Sequence, residues 1–147
     1  MSARASRVQI PPLPQEMKTD YVYVKESRIN GRGAFAARGF KKGEIVLQWD
    51  VSNTISPKEY DKLAEKEKNY VSFFDGKYVV MQEPERFVNH SCSPNTTAKN
   101  FCDFATKDIK AGEEVTGDYS EELAPNTEMT CNCGGINCRK IIKGPKS

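Results

Sequence analysis

Long apolar runs, an excess of one charge and histidine are all scarce in this sequence. No stretch approaches the ~20 apolar residues that a helical membrane span needs, and no such span is expected. Lys and Arg number 22 against 20 Asp and Glu, a net charge of +2. Phosphate binding is driven by clustered positive charge, so this balance argues against nucleic acid as the main target. Met1 to Pro14 carries Arg4 and Arg7 but no apolar h-region, and no secretory signal is expected there. Five cysteines without an export signal point to a reducing compartment, where thiols bind metal or do chemistry more often than they crosslink.

What the chain does have is enough for one domain with a real core: 147 residues, 37% apolar and 29% charged. Residues 1–19, with Pro11, Pro12 and Pro14, show no periodicity and read as a flexible or extended arm. Tyr21-Val22-Tyr23-Val24 and Ile45-Val46-Leu47-Gln48-Trp49 read as strands. Ser56-Pro57-Lys58-Glu59 has the form of a capping box and predicts a helix from about Pro57 to Asn69, with Tyr60, Leu63 and Ala64 as a narrow apolar stripe. Val71 to Phe74 and Lys77 to Met81 flank Asp75-Gly76, a two-residue hairpin signal. The pattern Ala36-x-Arg38-x-Phe40-Lys41-x-Gly43-Glu44-x-Val46 recurs as Ala105-x-Lys107-x-Ile109-Lys110-x-Gly112-Glu113-x-Val115, which predicts two similar β-corners. With one helix signal among many short strands and turns, the chain reads as mostly β.

Chemistry-bearing residues gather in three places. Arg86-Phe87-Val88-Asn89-His90-Ser91-Cys92-Ser93-Pro94-Asn95 holds the only histidine, a cysteine and two amides that offer donors and acceptors to a polar ligand. A structured turn with a satisfied buried histidine is the bland alternative. Gly31-Arg32-Gly33-Ala34-Phe35-Ala36 matches the G-x-G-x-x-A dinucleotide fingerprint, but Gly39, Gly43 and a strand follow where a helix is required. These glycines either let backbone approach a ligand or permit positive φ in a tight turn, and the turn is favoured on spacing alone. Cys131-Asn132-Cys133-Gly134-Gly135-Ile136-Asn137-Cys138 places three thiols in eight residues, one short of a tetrahedral zinc site. Cys92 is the natural fourth, because Cys102 sits in the apolar run Phe101-Cys102-Asp103-Phe104, where a thiol behaves as a small hydrophobe.

Together with Gly112-Glu113-Glu114-Val115-Thr116-Gly117-Asp118-Tyr119 and Arg139, these stretches resemble, in chain order, the SET domain family of protein lysine methyltransferases. The resemblance implies a mostly β, β-clip fold of short strands in which the Asn89-His90 and Asp118-Tyr119 segments make a knot-like crossing, with one insert helix and a C-terminal zinc loop. It implies an organisation of residues 1–19 as arm, 20–122 as SET domain and 123–147 as post-SET tail. S-adenosylmethionine is the implied methyl donor, held by Gly31, Arg32, Gly33, Ala34, Phe35, Arg86, Asn89, His90 and Tyr119. Tyr119 is the implied catalytic tyrosine, and Cys92, Cys131, Cys133 and Cys138 the implied zinc ligands.

The implied substrate is a protein, a histone or another, presenting a lysine in an extended peptide, within the cytoplasm or nucleus. Two departures accompany the match. No cysteine-rich segment precedes Gly31, and Gly117 stands two residues before the tyrosine, where family members commonly carry Phe or Tyr and where the residue helps set the product state. Glycine there predicts a permissive channel and mainly di- or trimethyl-lysine, unless Tyr21, Tyr23 or Tyr70 reaches in from elsewhere. The alternative functions are a zinc-stabilised, catalytically weak peptide-binding module and a redox device built on Cys131 and Cys133. Cofactor binding without turnover marks the first, and zinc near one per chain argues against the second.

Overall fold

Short strands follow one another wherever apolar residues alternate with glycine and proline. The computed structural model describes residues 21–131 and 133–146; the N-terminal arm expected over 1–19 lies outside them. The strands are β1 Val22–Glu26, β2 Arg32–Ala36, β3 Ile45–Gln48, β4 Thr54–Ile55, β5 Val71–Phe74, β6 Lys77–Val80, β7 Asn89–His90, β8 Thr96–Lys99, β9 Cys102–Ala105, β10 Glu114–Gly117, β11 Glu128–Thr130 and β12 Ile141–Lys143. They form four small sheets, β1-β2-β10-β7, β3-β9-β8, β4-β6-β5 and β11-β12. The expected mostly β architecture is what the chain adopts.

The repeated sequence pattern has a structural meaning. Its two copies form corners that complete each other rather than themselves. Phe40 and Ile109 exchange both backbone hydrogen bonds at 2.8 Å. The Gly43 amide donates to Ala105 O, and the Gly112 amide donates to Ala36 O. Gly43 and Gly112 sit at φ +93° and +91°, a region that a Cβ disfavours, so each copy needs its glycine. The corners deliver Phe40, Val46, Ile109 and Val115 to one core with Val22, Ala34, Ala36, Leu47, Val88 and Ala105. Each fully buried Val, Leu, Ile or Phe of this cluster stabilises the fold by ~1.5–3 kcal/mol.

The helical stretch expected over 57–69 is divided into α1, Pro57–Asp61, and α2, Glu65–Lys68. The capping box at Ser56 forms as read, with Ser56 Oγ accepting from the Glu59 amide and Glu59 Oε1 from the Ser56 amide. The break has a physical cause in the thin apolar stripe, since only Tyr60 is buried, Leu63 is half-buried and Ala64 is exposed. Nothing there holds a continuous helix against the core, and Glu67 recaps the chain by accepting from the Ala64 amide. The Asp75-Gly76 hairpin is as expected, with φ of +49° and +76° joining β5 to β6. Around it, Trp49, Val79 and Met81 form a second core cluster with Phe74 and Phe101.

Candidate active site

Strand β7 lies parallel to β10, pairing Asn89 with Thr116 and His90 with Gly117. This brings the two polar stretches read from the sequence side by side, and Asn95 fixes their register. Its Oδ1 accepts from the Thr116 amide at 2.8 Å, its Nδ2 donates to Glu114 O at 2.8 Å, and Thr96 Oγ1 donates to Thr116 O at 2.7 Å. Asn95 therefore serves the backbone of β10, not a ligand. The Asn89 amide nitrogen is likewise spent internally, donating to Asn30 O, Arg32 O and Glu114 Oε2 at 3.0–3.1 Å. It ties the Gly31–Gly33 turn to β7.

Those two glycines differ in purpose. Gly31, at φ +46°, makes the turn. At Gly33 a Cβ would overlap the Glu114 carboxylate, which accepts from Ser27 Oγ and Asn89 Nδ2 in that space. The glycine admits a carboxylate of the chain itself. Gly31 and Arg32 remain exposed at the turn, and the Arg32 guanidinium lies 5.7 Å from the Phe87 ring centroid. Ala34 and Phe35 are placed differently, buried in the middle of a sheet and paired on both sides with β1 and β10. They support the turn from below.

His90 is buried, and its Nδ1 accepts the Tyr119 amide at 3.0 Å, so in the neutral ring the proton belongs on Nε2, assigned from that contact. Nε2 lies 3.3 Å from Cys92 Sγ. Burial holds the imidazole below its ordinary pKa, against the opposing pull of Asp118 3.9 Å away. The Tyr119 hydroxyl donates to Val88 O at 2.6 Å. Burial first, then the negative charges of Glu122, Asp103 and Glu114, push its pKa well above the ordinary phenol value. The Tyr119 phenol is thus held in its neutral, donating form, with its dipole directed at Val88 O. Arg86, one turn upstream, lies 4.1 Å over the Tyr70 ring, and its Nε is buried with no acceptor among the described residues. This leftover donor fits a polar ligand beside Asn89 and His90.

The sulfurs of Cys92, Cys131, Cys133 and Cys138 all lie within 4.8 Å of one another, with Cys92 and Cys131 at 3.8 Å. Tetrahedral zinc with Zn–S of ~2.3 Å needs sulfurs about 3.8 Å apart, so the donor set fits the metal in both kind and spacing. The Arg139 amide and His90 Nε2 both face Cys92 Sγ at 3.3 Å, donors that suit a thiolate. Cys102 stands apart on β9, buried, with its thiol pushed up by burial. Arg139 then reaches Asp118 at 2.9 Å.

Sequence reasoning missed Glu114, Asp118 and Glu122 as site residues. Each reads as an ordinary charged residue flanking a strand or turn, and only the fold shows what each carboxylate faces.

The SET domain family model matches residues 31–120. Among curated proteins, the chain is 30% identical over 149 residues to Histone-lysine N-methyltransferase 2B of Homo sapiens, covering 82% of this chain and 5% of that protein. It is 29% identical over 151 residues to Histone-lysine N-methyltransferase trithorax of Drosophila virilis, covering 87% and 4%. The chain thus spans a small fraction of the length of these relatives. Among solved structures, the methyltransferase domain of human Histone-lysine N-methyltransferase SETMAR superposes with a TM-score of 0.64 at 21% identity, over 84% of this chain and 58% of that one. The family match covers most of the chain and takes in the glycine turn, the Asn89-His90 crossing and Tyr119: the chain belongs to the SET domain family.

Proposed function

We propose that this chain is a protein-lysine N-methyltransferase that uses S-adenosylmethionine, acts on a histone or another protein presenting a lysine in an extended peptide, and yields mainly di- or trimethyl-lysine. The observation that carries the reading is the convergence of Asn89, His90 and Tyr119 at the crossing of β7 and β10, tied to the cysteine cluster through Cys92 and Arg139. Histone-directed relatives support the substrate class. On this reading residues 20–122 are the SET domain and 123–147 the post-SET tail, and the protein works in the nucleus or cytoplasm. Among the described residues no helix is long and apolar enough to cross a membrane.

When bound, S-adenosylmethionine supplies a methyl group carried on a positively charged sulfur. Gly31, Arg32, Arg86, Asn89, His90 and Tyr119 would hold it, with Gly33, Ala34 and Phe35 shaping the turn beneath. The amine must be neutral to react, whereas a free lysine has a pKa of ~10.4. Burial in the channel disfavours the ammonium form, as does a nearby positive charge, by up to ~3–5 units for a fully buried group. The fixed Tyr119 phenol orients the amine and excludes water from one side of it. Zinc on the four cysteines would clamp the tail against Cys92 and so hold His90 and Asp118 in place. Labelled S-adenosylmethionine and a cell lysate, followed by mass spectrometry of the modified lysines, test the reading: methyl-lysine on histones supports it, and no labelled protein refutes it.

A further inference from the structure

Gly117 leaves the position two residues before Tyr119 without a side chain, and none of the three atoms nearest to that space belongs to a tyrosine. The atoms nearest to where its Cβ would stand are Thr96 Oγ1 and Val88 Cγ1 at 3.7 Å and Glu122 Oε2 at 3.8 Å. Val88 is also the residue whose carbonyl receives the Tyr119 hydroxyl. One carboxylate oxygen therefore borders the gap that the glycine opens, and its charge acts on Tyr119.

Glu122 is held there from two directions. Its backbone carbonyl accepts the Phe73 amide at 2.7 Å, and its Oε1 accepts from Ser72 Oγ at 2.9 Å. Oε2 receives no hydrogen bond from the described residues, and the residue is only half-buried. The neighbouring acid differs: Glu121 is committed to the Ala98 amide and Thr97 Oγ1. The groups facing Glu122 are the Ser72 hydroxyl from β5, Asp103 from β9, and Asp118, Tyr119 and Glu121 from its own segment. Asp103 is itself bonded to Trp49 Nε1. No cation stands among these described groups, so Oε2 is free to accept a hydrogen bond from a cation that enters.

We propose that Glu122 meets the substrate amine: Oε2 accepts an N–H bond from the incoming lysine ammonium and then takes that proton. The N–H bond breaks and its electron pair stays on nitrogen, an O–H bond forms on Oε2, and an ammonium and a carboxylate become an amine and a carboxylic acid. The proton leaves to water through the exposed part of the residue before the next cycle. Burial and the Asp103 charge hold the Glu122 carboxyl above the ordinary carboxylate range, which makes it a better acceptor than a solvated carboxylate. Each further methylation again requires removal of an N–H proton, so the same group serves every round. The inference rests on the methyltransferase reading.

The test compares the parental protein with Glu122→Gln, which keeps the shape and the Ser72 contact, on purified core histones with labelled S-adenosylmethionine. The expected result is a kcat at least ~10²-fold lower near neutral pH, unchanged S-adenosylmethionine affinity, and recovery of rate as the pH approaches ~10.4, where lysine loses its proton unaided. Glu122→Asp, with a retracted carboxylate, should fall between the two. Independently of turnover, carbon NMR of carboxyl-labelled glutamate should show one group titrating above the ordinary range that is missing from Glu122→Gln. Parental rate in Glu122→Gln, or an equal loss at all pH values, overturns the inference. Failure of the parental protein to label any protein of a cell lysate would instead refute the methyltransferase reading, and this inference with it.

Discussion

Arg139 Nη2 lies 2.9 Å from Asp118 Oδ1, so the residue after the last cysteine of the metal loop grips the residue before the proposed catalytic tyrosine. Cys92 makes the matching link on the other side, two residues from His90. The cysteine cluster and the proposed active site are therefore mechanically linked. Chelation of zinc should lower Tm by several degrees, since each kcal/mol lost from a chain about this size costs roughly 2–4 °C. S-adenosylmethionine affinity should fall with it. Cys92→Ser should lose zinc, and Cys102→Ala should keep it, as metal analysis of the purified variants will show; undiminished zinc in Cys92→Ser contradicts the ligand set.

Asn89→Asp is nearly isosteric but sets a second carboxylate against Glu114 and replaces the donor that serves Asn30 O and Arg32 O. Lost donors and like-charge repulsion should cost about 1–3 kcal/mol in stability. Calorimetry should find S-adenosylmethionine binding weakened as the Gly31 turn loosens. Binding at the parental level would show that the turn does not contribute.

Gly117 borders ordinary van der Waals distances, so Gly117→Ala should fold and turn over. Gly117→Tyr would place a ring against Val88, Thr96 and Glu122. Mass spectrometry of methylated peptide should then show product stopping at a lower methylation state than the parental di- or trimethyl-lysine. A parental product that stops at monomethyl-lysine under excess cofactor contradicts the permissive channel.

Asp103 is buried beneath Trp49, and burial raises its pKa in the folded state. The folded protein therefore holds this proton at pH values where the unfolded chain has released it, and stability falls as pH rises from the ordinary carboxylate value of 3.8 through the raised one. Asp103→Asn keeps an acceptor for Trp49 and removes the titration. Thermal unfolding from acid to alkaline pH should show a smaller decline for the variant; parallel curves would contradict the assignment.

The elements legible in the sequence were those fixed by local chemistry. The Ser56 capping box, the Asp75-Gly76 hairpin and the paired Gly43 and Gly112 corners need only a few neighbouring residues, and each formed as read. The grouping of three cysteines with Cys92 was legible because ligand count is a strict constraint. What stayed hidden depends on distant partners. The side-chain amides of Asn89 and Asn95 also hold backbone, a role hidden in the sequence because their partners at Asn30, Arg32, Glu114 and Thr116 lie far along the chain. Glu122 reads as a surface acid because nothing in Ser120-Glu121-Glu122-Leu123 reveals that β5 and Gly117 face it. The single helix expected over 57–69 broke because its apolar stripe found too little core to lie on.

The central claim is methyl transfer at Tyr119. Its most direct measurement is incorporation of label from S-adenosylmethionine into core histones by the parental protein and by Tyr119→Phe, with cofactor binding recorded for both. The account predicts methyl-lysine with the parental protein and, for Tyr119→Phe, nearly intact binding with transfer slowed by ~10²-fold. Transfer by Tyr119→Phe at the parental rate, or bound cofactor with no lysine methylated by the parental protein, would contradict it.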